Sequence, residues 1–256
     1  MRKFVFLTDL HFGFERASGH KSPLHDMKAI KTALDFVRDF QPDVLVIGGD
    51  FLDAGCLSHH NKNKPGRTEG MRILADAKEL REKVIMPLEL AAPNAKLVWI
   101  VGNHEQWLAD FQDDFPALEG MLDLKALMKL GDRWEIVPQG GYYNLGKLTF
   151  IHGDTVSGGE HVAKSAVISY ERSVLMGHHH TYQAYSKVSA LDYKNAKVGV
   201  SVPCLCGRTP HYGKGRPNRW QQGFAWGYVH ADGGFSHFVS LIINGKTVAD
   251  GKVYGS

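Results

Sequence analysis

Five short stretches hold most of the side chains able to grip a metal ion. They are Asp9-Leu10-His11, Gly49-Asp50-Phe51-Leu52-Asp53, Gly102-Asn103-His104-Glu105, His152-Gly153-Asp154 and Gly177-His178-His179-His180. Imidazole, carboxylate and a neutral amide form a borderline donor set, better suited to manganese, iron, zinc or nickel than to calcium or magnesium. A spacing of two, as in Asp9-x-His11 and His178-x-His180, places both donors on one side of an extended segment. The donors suffice for two cations, and one carboxylate shared between them would offset their repulsion.

Each stretch sits next to an apolar run: Phe4–Leu7, Val44–Ile47, Leu97–Val101, Leu148–Ile151 and Val174–Met176. Strand ends of an open α/β sheet converge on one crevice, so these runs predict strands that deliver the donors to a common place. The first half alternates strand and helix. Strands are expected at Lys3–Thr8, Asp43–Gly48 and Lys96–Val101, and helices at Leu24–Phe40, Met71–Leu90, Glu105–Phe111 and Leu118–Leu130. A polar loop is expected from about residue 12 to 23, and another from Ala54 to Thr68. Fully apolar strands separated by helices require a sheet covered on both faces. The second half is richer in strand, with runs at Glu135–Pro138, Tyr142–Leu145, Lys147–Ile151, Ser173–Met176, Gln183–Lys187, Lys197–Ser201, Ala225–His230 and Phe235–Ile243, and one helix at Glu160–Tyr170. No repeat or linker divides the chain, so a single domain over 1–256 is expected, its metal motifs at 9–180 and its β-rich part at 181–256.

A net charge of +3 excludes global polyelectrolyte binding, and any role for charge must come from local clusters. Cys56, Cys204 and Cys206 are too few for a disulfide framework and predict reduced thiols in a cytoplasmic setting. Cys204-Leu205-Cys206 fits a strand or loop better than a soft-metal site. No stretch approaches the roughly 20 apolar residues that span a bilayer, so no membrane partner is expected.

The order D-x-H, G-D-x-x-D, G-N-H-E, a lone histidine after a strand and then G-H-x-H, running from Asp9 to His180, resembles the calcineurin-like metallophosphoesterase superfamily. The resemblance implies an α/β fold, a four-layer α-β-β-α sandwich of two mixed sheets, with a dinuclear centre at its edge. It implies Asp9, His11 and His180 on one divalent transition metal, Asn103, His152 and His178 on the other, and Asp50 bridging them, with manganese the first candidate. It also implies that His104 binds no metal but serves the leaving oxygen, with Asp53 on its other ring nitrogen. Two metals roughly 3.5–4 Å apart activate a bridging hydroxide, orient phosphorus and neutralise charge on the phosphoryl oxygens. Taken singly, Asp50 or Asn103 suits a helix N-cap and His152 a core position; Glu105 reads as structural, and Asp154 as a turn residue.

Protein phosphatases of that superfamily carry Arg directly after the second Asp of G-D-x-x-D, and a second Arg after G-N-H-E. Here Ala54 and Gln106-Trp107 stand instead. Without those guanidinium forks the clamp for a doubly charged monoester is gone, which tilts the reading toward phosphodiesters. Basic residues interleaved with aromatics supply substrate-binding candidates in three loops: Arg16, His20 and Lys21; His59, His60, Lys62, Lys64 and Arg67; and Arg208, His211, Tyr212, Lys214, Arg216, Arg219 and Trp220. Such residues can hold a nucleic-acid backbone and stack a base. A nucleotide, DNA or RNA phosphodiester is therefore the expected substrate, with a broad phosphomonoesterase, a promiscuous phosphotriesterase or a non-catalytic scaffold as the other readings. The oligomeric state is left open.

Overall fold

The computed structural model describes residues 1–17, 20–210 and 217–255. The chain begins β1 (Arg2–Leu7), β2 (Phe14–Ala17), β3 (His20–Pro23), α1 (Met27–Phe40), β4 (Val44–Ile47), α2 (Pro65–Thr68), α3 (Ile73–Leu80), α4 (Met86–Ala91) and β5 (Lys96–Ile100). It continues with α5 (Asn103–Asp114), α6 (Leu124–Leu127), β6 (Trp134–Val137), β7 (Tyr143–Leu145), β8 (Leu148–Ile151), α7 (Val162–Tyr170) and β9 (Ser173–Met176). The last part is β10 (Gln183–Ser189), β11 (Asp192–Ser201), β12 (Gln222–Val229), β13 (Phe235–Ile242), β14 (Thr247–Ala249) and β15 (Lys252–Tyr254).

Side-chain alternation along the strands dictates the layers. In β1, Phe4 and Phe6 face one way and Val5 and Leu7 the other, and all four are buried. Phe4 and Phe6, with Val44, Val46, Val98 and Ile100, pack against Leu145, Phe150, Leu175 and Val200 of the second sheet. Val5, Leu7, Leu45, Ile47, Leu97 and Trp99 pack outward on Ile30, Phe36, Leu80 and Leu88 of the helices. On the far side, Ile151, Val174 and Met176 pack on Val162 and Ala166 of α7. A strand apolar on both faces needs cover on both, and the result is the expected four-layer α-β-β-α sandwich. The first sheet has the order β13-β12-β1-β4-β5-β6, with β1, β4, β5 and β6 parallel. The second has the order β10-β11-β9-β8-β7, with β11, β9 and β8 parallel. Both sheets are mixed, as expected.

The sequence expectations differ from the structure in several places, among them the loop expected over Ala54–Thr68, which contains α2, and the unexpected β14–β15 hairpin. The helix expected from Leu24 begins instead at Met27, because the Asp26 side chain caps it by accepting from the Lys28 and Ala29 amides. The helix expected over Met71–Leu90 is divided, with a π turn over Arg81–Ile85 between α3 and α4. Pro87 lacks the amide that would bond four residues back, and a π turn absorbs such a defect. The helix expected over Leu118–Leu130 shrinks to α6, since Gly120 takes φ +76° and helix starts anew only after the Asp123 cap. The polar loop expected over residues 12 to 23 contains the β2–β3 hairpin, which pairs Phe14 with Pro23 and Arg16 with Lys21. Its strands are short and show no apolar alternation, so periodicity cannot reveal them.

Candidate metal centre

The parallel strands β1, β4, β5, β8 and β9 all end at one edge of the sandwich, and each is followed by one donor stretch. The donors meet there. Asp9 Oδ1 lies 3.2 Å from His180 Nε2, and His180 Nε2 lies 3.2 Å from His11 Nε2. His152 Nε2 lies 3.3 Å from Asp50 Oδ2 and 3.1 Å from Asn103 Oδ1. Asp50 Oδ2 also lies 3.8 Å from His11 Nε2. Two groups, Asp9–His11–His180 and Asp50–His152–His178, each place one ligand atom per residue within 4.8 Å of the others. Asp50 thus stands between the two sets.

The backbone is bent to achieve this. Ten non-glycine residues among those described have positive φ, and five of them are Asp9, His11, Asp50, His178 and His180. The left-handed region costs a non-glycine residue about 1–2 kcal/mol, so such clustering marks a place where side-chain direction outranks backbone ease. Glycines allow the stretches to approach. A Cβ on Gly102 would fall 2.2 Å from Asp50 Oδ1, and one on Gly177 would fall 2.5 Å from Asp9 Oδ2.

Partners beyond the donors set their orientation. His152 Nδ1 sits 2.7 Å from the Gly48 carbonyl, which can only accept, so Nε2 is the nitrogen turned to Asn103 and Asp50. Asp53 Oδ2 lies 3.1 Å from His11 Nδ1, leaving His11 Nε2 turned toward His180. Two imidazole nitrogens facing each other need a proton or a cation between them. The same Asp53 oxygen is 3.1 Å from His104 Nδ1, too far off axis for a hydrogen bond, so that contact is electrostatic. His104 Nε2 stands 4.0 Å from Asp50 Oδ2.

Charge in the cluster is balanced by protons. Burial disfavours the charged form of Asp50, yet His152, His104 and His11 outweigh it and hold its carboxyl well below the usual range. Asp9, likewise buried, is drawn down to about 2 by His180 and His152. Burial also opposes charge on His104 and His152. Asp50 and Asp53 nevertheless raise His104 to about 9, and Asp50 and Asp9 raise His152 to about 10. For His178 and His180, burial prevails and lowers the pKa. Ionised carboxylates neutralised by protonated imidazoles are what a cation would displace, releasing protons as it enters. The donor set, the facing ring nitrogens and the bent backbone all fit a pair of divalent ions.

Several partners were not legible in the sequence. Thr8 donates its hydroxyl to Asp9 Oδ2 at 2.7 Å, and the His178 amide donates to the same oxygen at 2.9 Å. Glu105 proves structural as expected, but with long reach. Its carboxylate accepts from the amides of Asp50, Phe51, Leu52 and Gly102 at 2.6–3.0 Å, tying the second stretch to the third. The N-cap reading of Asp50 holds in part, because Oδ1 accepts from the His104 amide at 2.9 Å in the first turn of α5. Gly102, not Asn103, is the cap residue of that helix. Asp154 accepts from Gln139 at 2.7 Å. Cys204 and Cys206 lie buried beside His180, but burial pushes the Cys206 thiol well up, so it is a protonated neighbour.

The candidate substrate loops divide. Arg16, His60 and Arg67 line one cavity of about 600 Å³ that also touches Asp53 and His104. His59 lies against His60 with the two rings tilted, both exposed in the second loop. Lys62 is turned to Asp114 at 3.1 Å. In the third loop, Arg219 pairs with Glu160 at 2.7 Å, and the Arg208 carbonyl accepts from Asn218. Trp220 brings that loop to the centre, its ring 4.2 Å from that of His180. His211, Tyr212, Lys214 and Arg216 lie outside the described residues. Ala54, which stands where protein phosphatases carry a phosphate-gripping Arg, is buried. No helix among the described residues is long and apolar enough to cross a membrane.

A two-sheet α-β-β-α sandwich with His/Asp clusters at its parallel strand ends defines a metallophosphoesterase. The profile of the calcineurin-like phosphoesterases matches residues 2–220, and the chain belongs to that family. Membership implies a phosphoester hydrolase, and the His/Asp clusters are compatible with a dinuclear divalent site. Gene 54 protein of Mycobacterium phage L5 is similar, 26% identical over 254 residues, covering 91% of this chain and 94% of that protein. Gene 54 protein of Mycobacterium phage D29 is 26% identical over 264 residues with the same coverage. Among solved structures, Vps29 of Chaetomium thermophilum shares the fold at a TM-score of 0.51 and 11% identity, covering 100% of this chain and 99% of that one.

Proposed function

We propose that the protein is a two-metal phosphodiesterase acting on nucleotide or nucleic-acid esters, with manganese the metal first to try. Asp9, His11 and His180 would hold one ion, Asn103, His152 and His178 the other, and Asp50 both. The observation that carries this reading is the arrangement of Asp50, with Oδ2 3.3 Å from His152 and 3.8 Å from His11, members of the two opposing sets. What the cations supply when bound is Lewis acidity, which activates water at neutral pH and opposes charge on the phosphoryl oxygens.

The chain's own residues do the rest. His104 is held beside the cluster by α5, and its Nε2 faces Asp50 while its Nδ1 faces Asp53. The charge of Asp53 beside Nδ1 favours the protonated ring, and Nε2 would be the atom that passes a proton to the departing oxygen. Asp53 also orients His11, so one carboxylate sets both an imidazole of the donor cluster and the acid. The preference for diesters rests on Ala54 and on Trp107, whose ring lies 4.1 Å from that of His104 where a clamping guanidinium would otherwise reach. One carboxylate and an aromatic wall suit a singly charged ester with a second substituent.

The test is turnover of bis(p-nitrophenyl) phosphate against p-nitrophenyl phosphate after metal removal and manganese addition, with metal content measured in parallel. The diester should be favoured at least ten-fold in kcat/KM, with two equivalents of metal bound. Monoester preference would overturn the diester reading, and absence of bound metal would overturn the dinuclear one.

A further inference from the structure

We infer that the cavity beyond His104 seats a nucleoside leaving group, an inference that rests on the phosphodiesterase reading above. The cavity is about 600 Å³, within the range of sites that enclose a drug-sized ligand. Its inner end is Asp53 and His104, and none of Asp9, Asp50, His152, His178 and His180 lines it. It therefore opens on the acid and away from the donors, which is where the departing half of an ester must go. In the reaction, the oxygen of water bonds to phosphorus and the ester bond to the departing group breaks. His104 gives the departing ester oxygen its proton, and the proton lost by water returns to the imidazole through solvent.

The walls tell what that group is. Phe14 on the β2–β3 hairpin, Leu24, Met71 and Trp107 give apolar faces on three sides. Trp107 is held by α5 with its ring against His104 and 6.3 Å from the ring of His60, so a planar heterocycle has aromatic surface beside the acid. The arginines of the lining, Arg16 and Arg67, are matched by two carboxylates, Glu15 and Asp53, so the cavity has no excess of positive charge to hold a second phosphate. Arg16 is committed to Glu69, with its guanidinium donating to the Glu69 carbonyl at 3.2 Å and lying 3.6 Å from the carboxylate. Glu15 adds a carboxylate to the same wall, which would repel a phosphate. A neutral, flat, hydrogen-bonding group of that size is a nucleoside.

Two measurements test this. Gly66 lines the cavity, and a Cβ there meets nothing within 4 Å, so Gly66→Trp can narrow the cavity without a clash at its first atom. Adenosine binding to the metal-free protein is measured by calorimetry for the wild type, Gly66→Trp and Trp107→Ala. Binding should be seen in the wild type and be at least ten-fold weaker in both variants. The second measurement is kcat/KM for a dinucleoside monophosphate divided by that for methyl p-nitrophenyl phosphate, and Gly66→Trp should lower this ratio at least ten-fold. Absent adenosine binding, or equal binding by all three proteins, overturns the inference, as does an unchanged ratio. A glycerophosphodiester preferred to the dinucleoside, with the same dependence on Gly66, also overturns it. Adenosine binding as expected in a protein that cleaves neither ester would sink the phosphodiesterase reading and leave the nucleoside cavity standing.

Discussion

His104 and Asp53 carry the sharpest expectations at the scale of single residues. The His104 imidazole belongs to neither proposed ligand set, its Nε2 standing 4.0 Å from Asp50, so its removal should leave metal content intact. His104→Ala should lower kcat by about 10²–10⁴, the usual contribution of a positioned acid, while metal analysis still finds the wild-type content. Loss of metal together with activity would show that His104 is a ligand. Asp53 is different, because one oxygen stands 3.1 Å from both His11 and His104. Substituting it disturbs His11 and His104 together, so the two effects cannot be separated at that position.

Between elements, Glu105 is the principal tie. It sits at the start of α5 and accepts from four amides, three of them in the stretch after β4. Burial raises its pKa, so the surrounding amides are what make its acceptor role possible. Glu105→Ala would strand several buried donors, each worth about 1–3 kcal/mol, and the loss in stability should be on the order of 3 kcal/mol or more. Urea unfolding with an unchanged m-value would register it as a shift of the midpoint. A loss under about 1 kcal/mol would mean that water or a rearranged loop satisfies those amides. The same stretch contains Asp50, so metal affinity should fall with stability.

The molecule as a whole should reveal the protons that balance its cluster. His104 is raised to about 9 and His152 to about 10, above the value of about 6.5 for an unfolded histidine. Their stabilisation is therefore fully present below pH about 6.5 and is lost as pH rises through 9 and 10. Asp9, lowered to about 2, acts at the other end, with stability present above pH about 4 and lost toward 2. The melting temperature of the chelated protein should accordingly fall steadily from pH 6.5 to 10. With manganese the fall should flatten, because the cation takes the place of the protons and is bound more tightly as they leave. A chelated protein whose melting temperature is flat or rising over that range would contradict the charge balance described here.

Much of this was settled by the amino-acid order alone. Apolar runs followed at once by Asp, Asn and His declare both the strands and the donors, because a buried strand and a short polar turn are local features. Phe4–Leu7 and Asp9-x-His11 are legible for that reason, as are Val174–Met176 and His178-x-His180. The π turn before Pro87, the β2–β3 hairpin and the carboxylate of Glu105 reaching back to Asp50 were decided by tertiary structure. So were the sharing of Asp53 between two histidines and the cavity that joins Arg16, His60 and Trp107. Each of those depends on groups that meet across 40 or more positions, or on a backbone adjusting to its neighbours. Periodicity reports which face of one element is apolar, not which distant side chain will lie against it.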